Sequence, residues 1–220
     1  MICKRSDPNL NECLKEAIQK ALSFIENGID KFRIPSMQPI KIKTWTVQGT
    51  DILPFEQHYQ NGQLYNYASS TIDQVQATIT DNDFSISING HLPMAKFVGQ
   101  YKIDNAIFYG QNLTGNGTIV YIEYANVFVI NMTGRVNRNG DIPILQITST
   151  VHNNTIEDLD INLDTFHIEQ SAKHSDHLNK HWKVIVDELR EGYLEMYAVA
   201  FQNIANSIFS QLDYDKLFPK

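Results

Sequence analysis

Residues 176–212 read DHLNKHWKVIVDELREGYLEMYAVAFQNIANSIFSQL. Leu178, Trp182, Ile185, Leu189, Tyr193, Met196, Ala200, Ile204, Ile208 and Leu212 recur there at intervals of three and four. That spacing places side chains on one face of an α-helix. Val186, Leu194, Phe201, Ala205 and Phe209 widen the stripe beyond a coiled-coil seam. A continuous helix over this stretch would be about 54 Å long. So long an apolar face needs a concave partner, and only the chain ahead of it is available.

That chain changes to period two from Pro39 onward. The alternation predicts strands at 40–48, 63–80, 84–88, 97–108, 118–131, 142–152 and 156–168. Turn signals separate them: Asn61-Gly62, Asp81-Asn82-Asp83, Asn89-Gly90, Asn116-Gly117 and Asn139-Gly140. Short links between long strands predict an antiparallel meander. The strand at Phe84, Ile86 and Ile88 alternates with Ser85 and Ser87, so one face is wet. The strand 118–131 differs. Ile119, Tyr121, Val127 and Val129 are apolar on one face, and Val120, Ile122, Tyr124, Phe128 and Ile130 on the other, which reads as cover on both sides. Near the N-terminus, Asp7-Pro8 opens an amphipathic helix carrying Leu10, Leu14, Ala17, Ile18, Ala21, Leu22 and Ile25, ended by Asn27-Gly28. With no repeat and no linker, residues 1–220 read as one α+β domain. A long C-terminal helix lies in a strongly curved antiparallel sheet.

The formal net charge is -7. Between residues 46 and 172 only Lys96, Lys102, Arg135 and Arg138 are basic, against thirteen acidic residues. Such a surface repels phosphate backbones and anionic membranes, so neither nucleic acid nor a stably inserted bilayer is an expected partner. No run of about 18 apolar residues occurs. Met1 ahead of Ile2 and Cys3 reads as the start of a mature chain rather than a signal peptide. Cys3 and Cys13 are the only cysteines. They form either one bridge or two free thiols. Four sequons, at Asn112, Asn116, Asn131 and Asn153, favour an oxidising, secretory setting and are candidate glycosylation sites.

The order of short motifs resembles the insect Takeout and juvenile-hormone-binding family. The residues concerned are Cys3-Lys-Arg-Ser-Asp-Pro-Asn-Leu-Asn-Glu-Cys13-Leu, Gly28-Ile, and Ile34-Pro35-Ser-Met-Gln-Pro39-Ile. Gly99-Gln-Tyr-Lys-Ile-Asp104, Leu113-Thr-Gly-Asn-Gly117 and Gly134 follow, then Asn206-Ser-Ile-Phe209 and Leu217-Phe-Pro219. The resemblance implies a secreted insect carrier with an elongated hydrophobic tunnel for a terpenoid, fatty acid or similar lipid, in the fold of the tubular lipid-binding proteins. Two departures stand out. The second disulfide of the juvenile-hormone carriers has no cysteines here, and residues 160–181 match the family pattern poorly.

Ligand pockets are mostly apolar with a few polar groups. The aromatic residues Trp45, Phe84, Phe97, Tyr101, Phe108, Tyr121, Phe128, Trp182, Tyr193, Tyr197 and Phe201 are the candidate tunnel lining, although any one of them also suits ordinary core packing. A buried phenol wants a hydrogen-bond partner, which makes Tyr121 and Tyr193 the candidates for a ligand carbonyl or epoxide. His167, His174, His177 and His181 cluster, with His177 and His181 four apart. No His-Glu-x-x-His accompanies them, so a solvated helix start is expected rather than a metal site. Nucleophile elbows, phosphate loops and dinucleotide fingerprints are absent, and no cofactor is expected. Gly115-Asn-Gly117 reads as a hairpin turn. A monomeric, non-enzymatic carrier therefore ranks first, a secreted interaction module second and a lipid-ester hydrolase third.

Overall fold

Two strands carry the architecture. β4 (Asp83–Ile103, 21 residues) and β7 (Gly115–Asn137, 23 residues) pair antiparallel over their whole length, from Asp83↔Arg135 to Ile103↔Gly115. The computed structural model describes residues 2–164 and 168–220, and the side chains of 168–170 fall outside that description, as does His167. Both strands are longer than their sequence pattern suggested. Asn89-Gly90 and Asn116-Gly117 do not turn the chain but lie inside β4 and β7. The turn between the strands is the small hairpin of β5 (Ile107–Phe108) and β6 (Gln111–Asn112).

The paired strands change face at one level. In β4 the buried positions are Phe84, Ile86, Gly90 and Leu92, then Ala95, Phe97, Gly99, Tyr101 and Ile103. In β7 they are Ile119 and Tyr121, then Asn126, Phe128, Ile130, Met132 and Gly134. The switch falls at Pro93, which has no N–H to give a ladder, and at Ala125, whose φ is 49°. This corrects the reading of 118–131 as covered on both sides. Val127 is 50% exposed, and the apparent two-sided pattern is one buried face that changes parity.

The switch divides the curved sheet into two halves. The first contains β1 (Ile40–Val47), β2 (Gln57–Tyr65), the C-terminal part of β4, the N-terminal part of β7 and β9 (Asp158–Asp164). The second contains β3 (Thr71–Ile79), the remaining parts of β4 and β7, and β8 (Ile144–Thr155). The expected strand 63–80 is thus two strands joined by a 3-10 turn at Tyr67–Ser69. Asn61-Gly62 is a bulge within β2 rather than a turn. Gly62 and Gly90 share a cause: a Cβ at either would sit 2.9 Å or less from an aromatic ring, Phe97 and Phe128 respectively. Glycine here makes room for a ring.

Among the described residues the α-helices are α1 (Leu10–Phe24), α2 (Ile168–Lys180), α3 (Trp182–Phe209) and α4 (Tyr214–Leu217). The expected helix over 176–212 is therefore interrupted at His181, where the backbone leaves helical geometry (φ -118°, ψ 16°). Its ring lies 4.5 Å from that of Tyr109 and 5.6 Å from that of Phe108, so the joint packs on the β5–β6 hairpin. At 28 residues, α3 is about 42 Å long. It touches β1 and β8 at opposite ends of the strand path, as a curled sheet requires.

Side-chain amides close the sheet edges. Asn206 of α3 accepts from Ile147 N (2.8 Å) and donates to Ile147 O (3.1 Å). Asn179 of α2 does the same at Ile161 of β9, and Gln19 of α1 bridges Ile72 N and Ser70 O beside β3. Each imitates one residue of a neighbouring strand and satisfies backbone groups that an open edge would expose. At the N-terminus Cys3 and Cys13 are bridged, tying the extended lead-in to α1. Arg5 pairs with Asp81 and Asp215, fastening the same segment to the β3–β4 turn and to α4.

Candidate functional site

In the first half, Tyr59 of β2, Tyr121 of β7 and Tyr193 of α3 bring their phenol oxygens together at 2.9, 2.8 and 3.0 Å. Gln57 Oε1 accepts from Tyr59 (2.5 Å) and Tyr193 (2.8 Å). Two phenol protons thus go to the amide oxygen and the third to a neighbouring phenol, so every hydroxyl is satisfied. Phe97 packs beneath, with ring centroids 5.7 Å from Tyr59 and 6.1 Å from Tyr121. Burial pushes Tyr59 and Tyr193 well above the ordinary phenol range, and the neighbouring phenols add to the effect.

A cavity of about 40 Å³ borders this triangle. Tyr121, Tyr193, Glu123 and Arg190 supply its polar wall; Ile156, Leu159, Ile185 and Leu194 are among its apolar walls. Glu123 is partly exposed and forms part of the cavity wall. Its Oε1 accepts from Tyr197 (3.1 Å), and its Oε2 from Asn126 and Asn154. Burial raises its pKa to about 7, against the lowering effects of those bonds and of Arg190. Arg190 is itself bonded to Asn153 Oδ1 and to the backbone carbonyl of Asn154.

Beyond Glu123 and Tyr197, in the second half, lies a different kind of interior. His152 of β8 is 2% exposed, and its ring is enclosed by Tyr197 (5.4 Å), Phe201 (5.5 Å), Tyr67 (6.2 Å) and Phe128 (6.4 Å). Neither ring nitrogen has a hydrogen-bond partner among the described residues. The same holds for the Tyr67 hydroxyl, Asn126 Oδ1 and Thr150 Oγ1. Burial pulls the His152 pKa down to about 3, helped by the charge of Arg190. The ring is therefore neutral at physiological pH.

The sequence candidates are distributed over these places. Phe97, Tyr121 and Tyr193 belong to the triangle, and Phe128, Tyr197 and Phe201 enclose His152. Phe84 packs with Phe209 and Phe218 at the far end of the second half. Phe108 lies against His177 and His181 at the far end of the first. Tyr101 is buried with an unpaired hydroxyl among the described residues, and burial raises it to about 12. Trp45 is half-buried and donates to Gly192 O (3.0 Å), joining β1 to α3. Trp182 is half-buried at the start of α3. At the levels of the triangle and of His152 these rings pack on one another, and Tyr121, Tyr193 and Tyr197 also border the cavity. Tyr121 and Tyr193 are hydrogen-bonded to each other and to Tyr59, and both border the cavity. His177 Nε2 donates to Phe108 O (3.0 Å), so it is a packing residue at the helix joint. Asn112, Asn116, Asn131 and Asn153 are all exposed.

Sequence reasoning missed Gln57, Tyr59, Tyr67, Glu123 and His152. Two carried a signal. Glu123 is the one acid within the apolar run 118–130, and His152 follows Val151 in an alternating strand, where a lone histidine looks like a solvent-facing residue.

The family model described as haemolymph juvenile hormone binding protein (JHBP) matches residues 1–219. The fold is similar to that of Takeout 1 from Epiphyas postvittana, with a TM-score of 0.81 at 16% identity, covering 100% of this chain and 99% of that one. A lipopolysaccharide binding protein aligns at a TM-score of 0.33 and 10% identity, over 86% of this chain and 38% of that one. No curated protein matches the chain.

Proposed function

Since the chain belongs to the haemolymph juvenile hormone binding protein family, we propose that it is an extracellular carrier of a small, elongated apolar ligand, held between α3 and the curled sheet. The observation that carries this reading is the cavity beside Tyr121 and Tyr193, where apolar walls from α3 and β9 face a few polar groups. Its volume of about 40 Å³ is far below the several hundred Å³ of a lipid site. Loading therefore requires the aromatic side chains around it, Tyr121, Tyr193 and Tyr197, to change rotamer. The Cys3–Cys13 bridge and the exposed sequon asparagines support a secretory setting. Binding without turnover fits a family of binding proteins.

The test is organic extraction of the protein purified from secreting cells, followed by mass spectrometry. The reading expects close to one lipid-like molecule per chain. Protein that carries none, and takes up none on incubation with a lipid mixture, refutes it.

A further inference from the structure

A buried polar atom with no partner costs free energy, and native interiors hold few of them. Here several occur together. His152 and Tyr67, their rings 6.2 Å apart, leave both ring nitrogens and a hydroxyl without a well-formed hydrogen bond among the described residues, and so does the amide oxygen of Asn126, whose side chain lies close enough to the Tyr67 hydroxyl to act on it. Thr150 lies two residues along β8 on the same face as His152 and adds another unpaired hydroxyl. We propose that this enclosure receives a hydroxyl group at the end of a long apolar ligand. The inference rests on the carrier reading and adds the chemistry of the ligand's head.

A neutral imidazole offers one N–H and one lone pair. Tyr67 adds a donor that can also accept, and Asn126 Oδ1 is an acceptor only. A hydroxyl donates once and accepts twice, so it meets the imidazole or the amide oxygen as a donor and Tyr67 as an acceptor. An ether or ester oxygen accepts only, and leaves Asn126 Oδ1 unmet. A carboxylate also accepts only, and it would lie near the Glu123 carboxylate, to which Asn126 Nδ2 is bonded. An ammonium only donates, and leaves the imidazole N–H unmet. The nearest cation, Arg190, is already engaged by Asn153 and Asn154.

Tyr197 stands between the enclosure and the cavity it helps to line, with its ring against His152 and its hydroxyl on Glu123. On this proposal Tyr197 rotates away from Glu123 and opens the enclosure to the cavity. The ligand's head then lies at His152 and its tail along Ile156, Leu159, Ile185 and Leu194.

The experiment is competition on the full, disulfide-bonded chain, with N-phenyl-1-naphthylamine as the fluorescent probe. The competitors are 1-hexadecanol, 1-methoxyhexadecane, palmitic acid and hexadecylamine. The alcohol should displace the probe at about tenfold lower concentration than the ether, the worth of one or two neutral hydrogen bonds. In His152→Phe that preference should vanish while the ether's affinity is unchanged. Tyr67→Phe keeps the ring and should reduce the preference several-fold, which covers the case of a His152 variant that fails to fold. Equal displacement by alcohol and ether, a stronger acid or amine, or a preference that survives both substitutions overturns the hydroxyl site. Binding of all four compounds without preference leaves the carrier reading standing. A probe that does not bind at all refutes both.

Discussion

Two polar clusters, the phenol triangle in the first half of the sheet and the His152 enclosure in the second, treat buried polarity in opposite ways. In the first, three phenol hydroxyls and the oxygen of one amide satisfy one another. In the second, His152, Tyr67 and Asn126 are buried with atoms that have no partner among the described residues. The contrast teaches that burial alone does not mark a receiving site. Polar groups that have found partners hold the fold together, whereas those left unpaired at a cost to stability are the ones free to meet a ligand. Glu123 and Tyr197 form the boundary between the two regions.

Acid unfolding should break the comparison most visibly. The folded His152 has its pKa near 3, against an ordinary 6.5. Between those values the unfolded chain binds the extra proton, so His152 costs stability as pH falls from 6.5 toward 3. The loss is on the order of 4 kcal/mol at the acid end. His152→Phe should remove it, seen as a flatter dependence of urea-unfolding free energy on pH below 6.5.

Glu123 has the opposite sign. Its folded pKa of about 7 exceeds its ordinary 4.5, so the folded state holds the proton more tightly and stability falls as pH rises from 4.5 to 7. The effect is on the order of 3 kcal/mol. Glu123→Gln, which can still accept from the two asparagines, should abolish that decline in the same titration. Smaller effects separate the tyrosines. Tyr59→Phe leaves Gln57, Tyr121 and Tyr193 short of a partner and should cost about 1–2 kcal/mol in thermal or urea unfolding. Tyr67→Phe removes a hydroxyl that has no partner among the described residues, and should be neutral or stabilise by up to about 1 kcal/mol.

The elements of the fold were largely legible in the sequence because each depends on local periodicity. The stripe from Trp182 to Phe209 and the period-two run before it identify a helix and the sheet it packs on. What periodicity misjudged was continuity. Asn89-Gly90 and Asn61-Gly62 look like turns, yet their glycines are there because Phe128 and Phe97 occupy the space of a Cβ. That reason lies in another strand. The helix break at His181 depends likewise on Phe108 and Tyr109. The site was half legible. Tyr121 and Tyr193 could be picked as buried phenols, but their partners Tyr59 and Gln57 lie over sixty residues from the nearer of them. The parity switch at Pro93 and Ala125 decides which of Glu123 and Tyr124 faces inward, and no alternation pattern contains it.

The central claim is that the space between α3 and the sheet opens to take an apolar molecule. The most direct measurement is the affinity of N-phenyl-1-naphthylamine for the native chain and for Leu194→Trp, which places an indole in the cavity wall. The account predicts saturable binding at one site per chain, weakened tenfold or more by the substitution while the melting temperature stays within a few degrees. Undiminished affinity in a folded Leu194→Trp, or no saturable binding by the native chain, would contradict it.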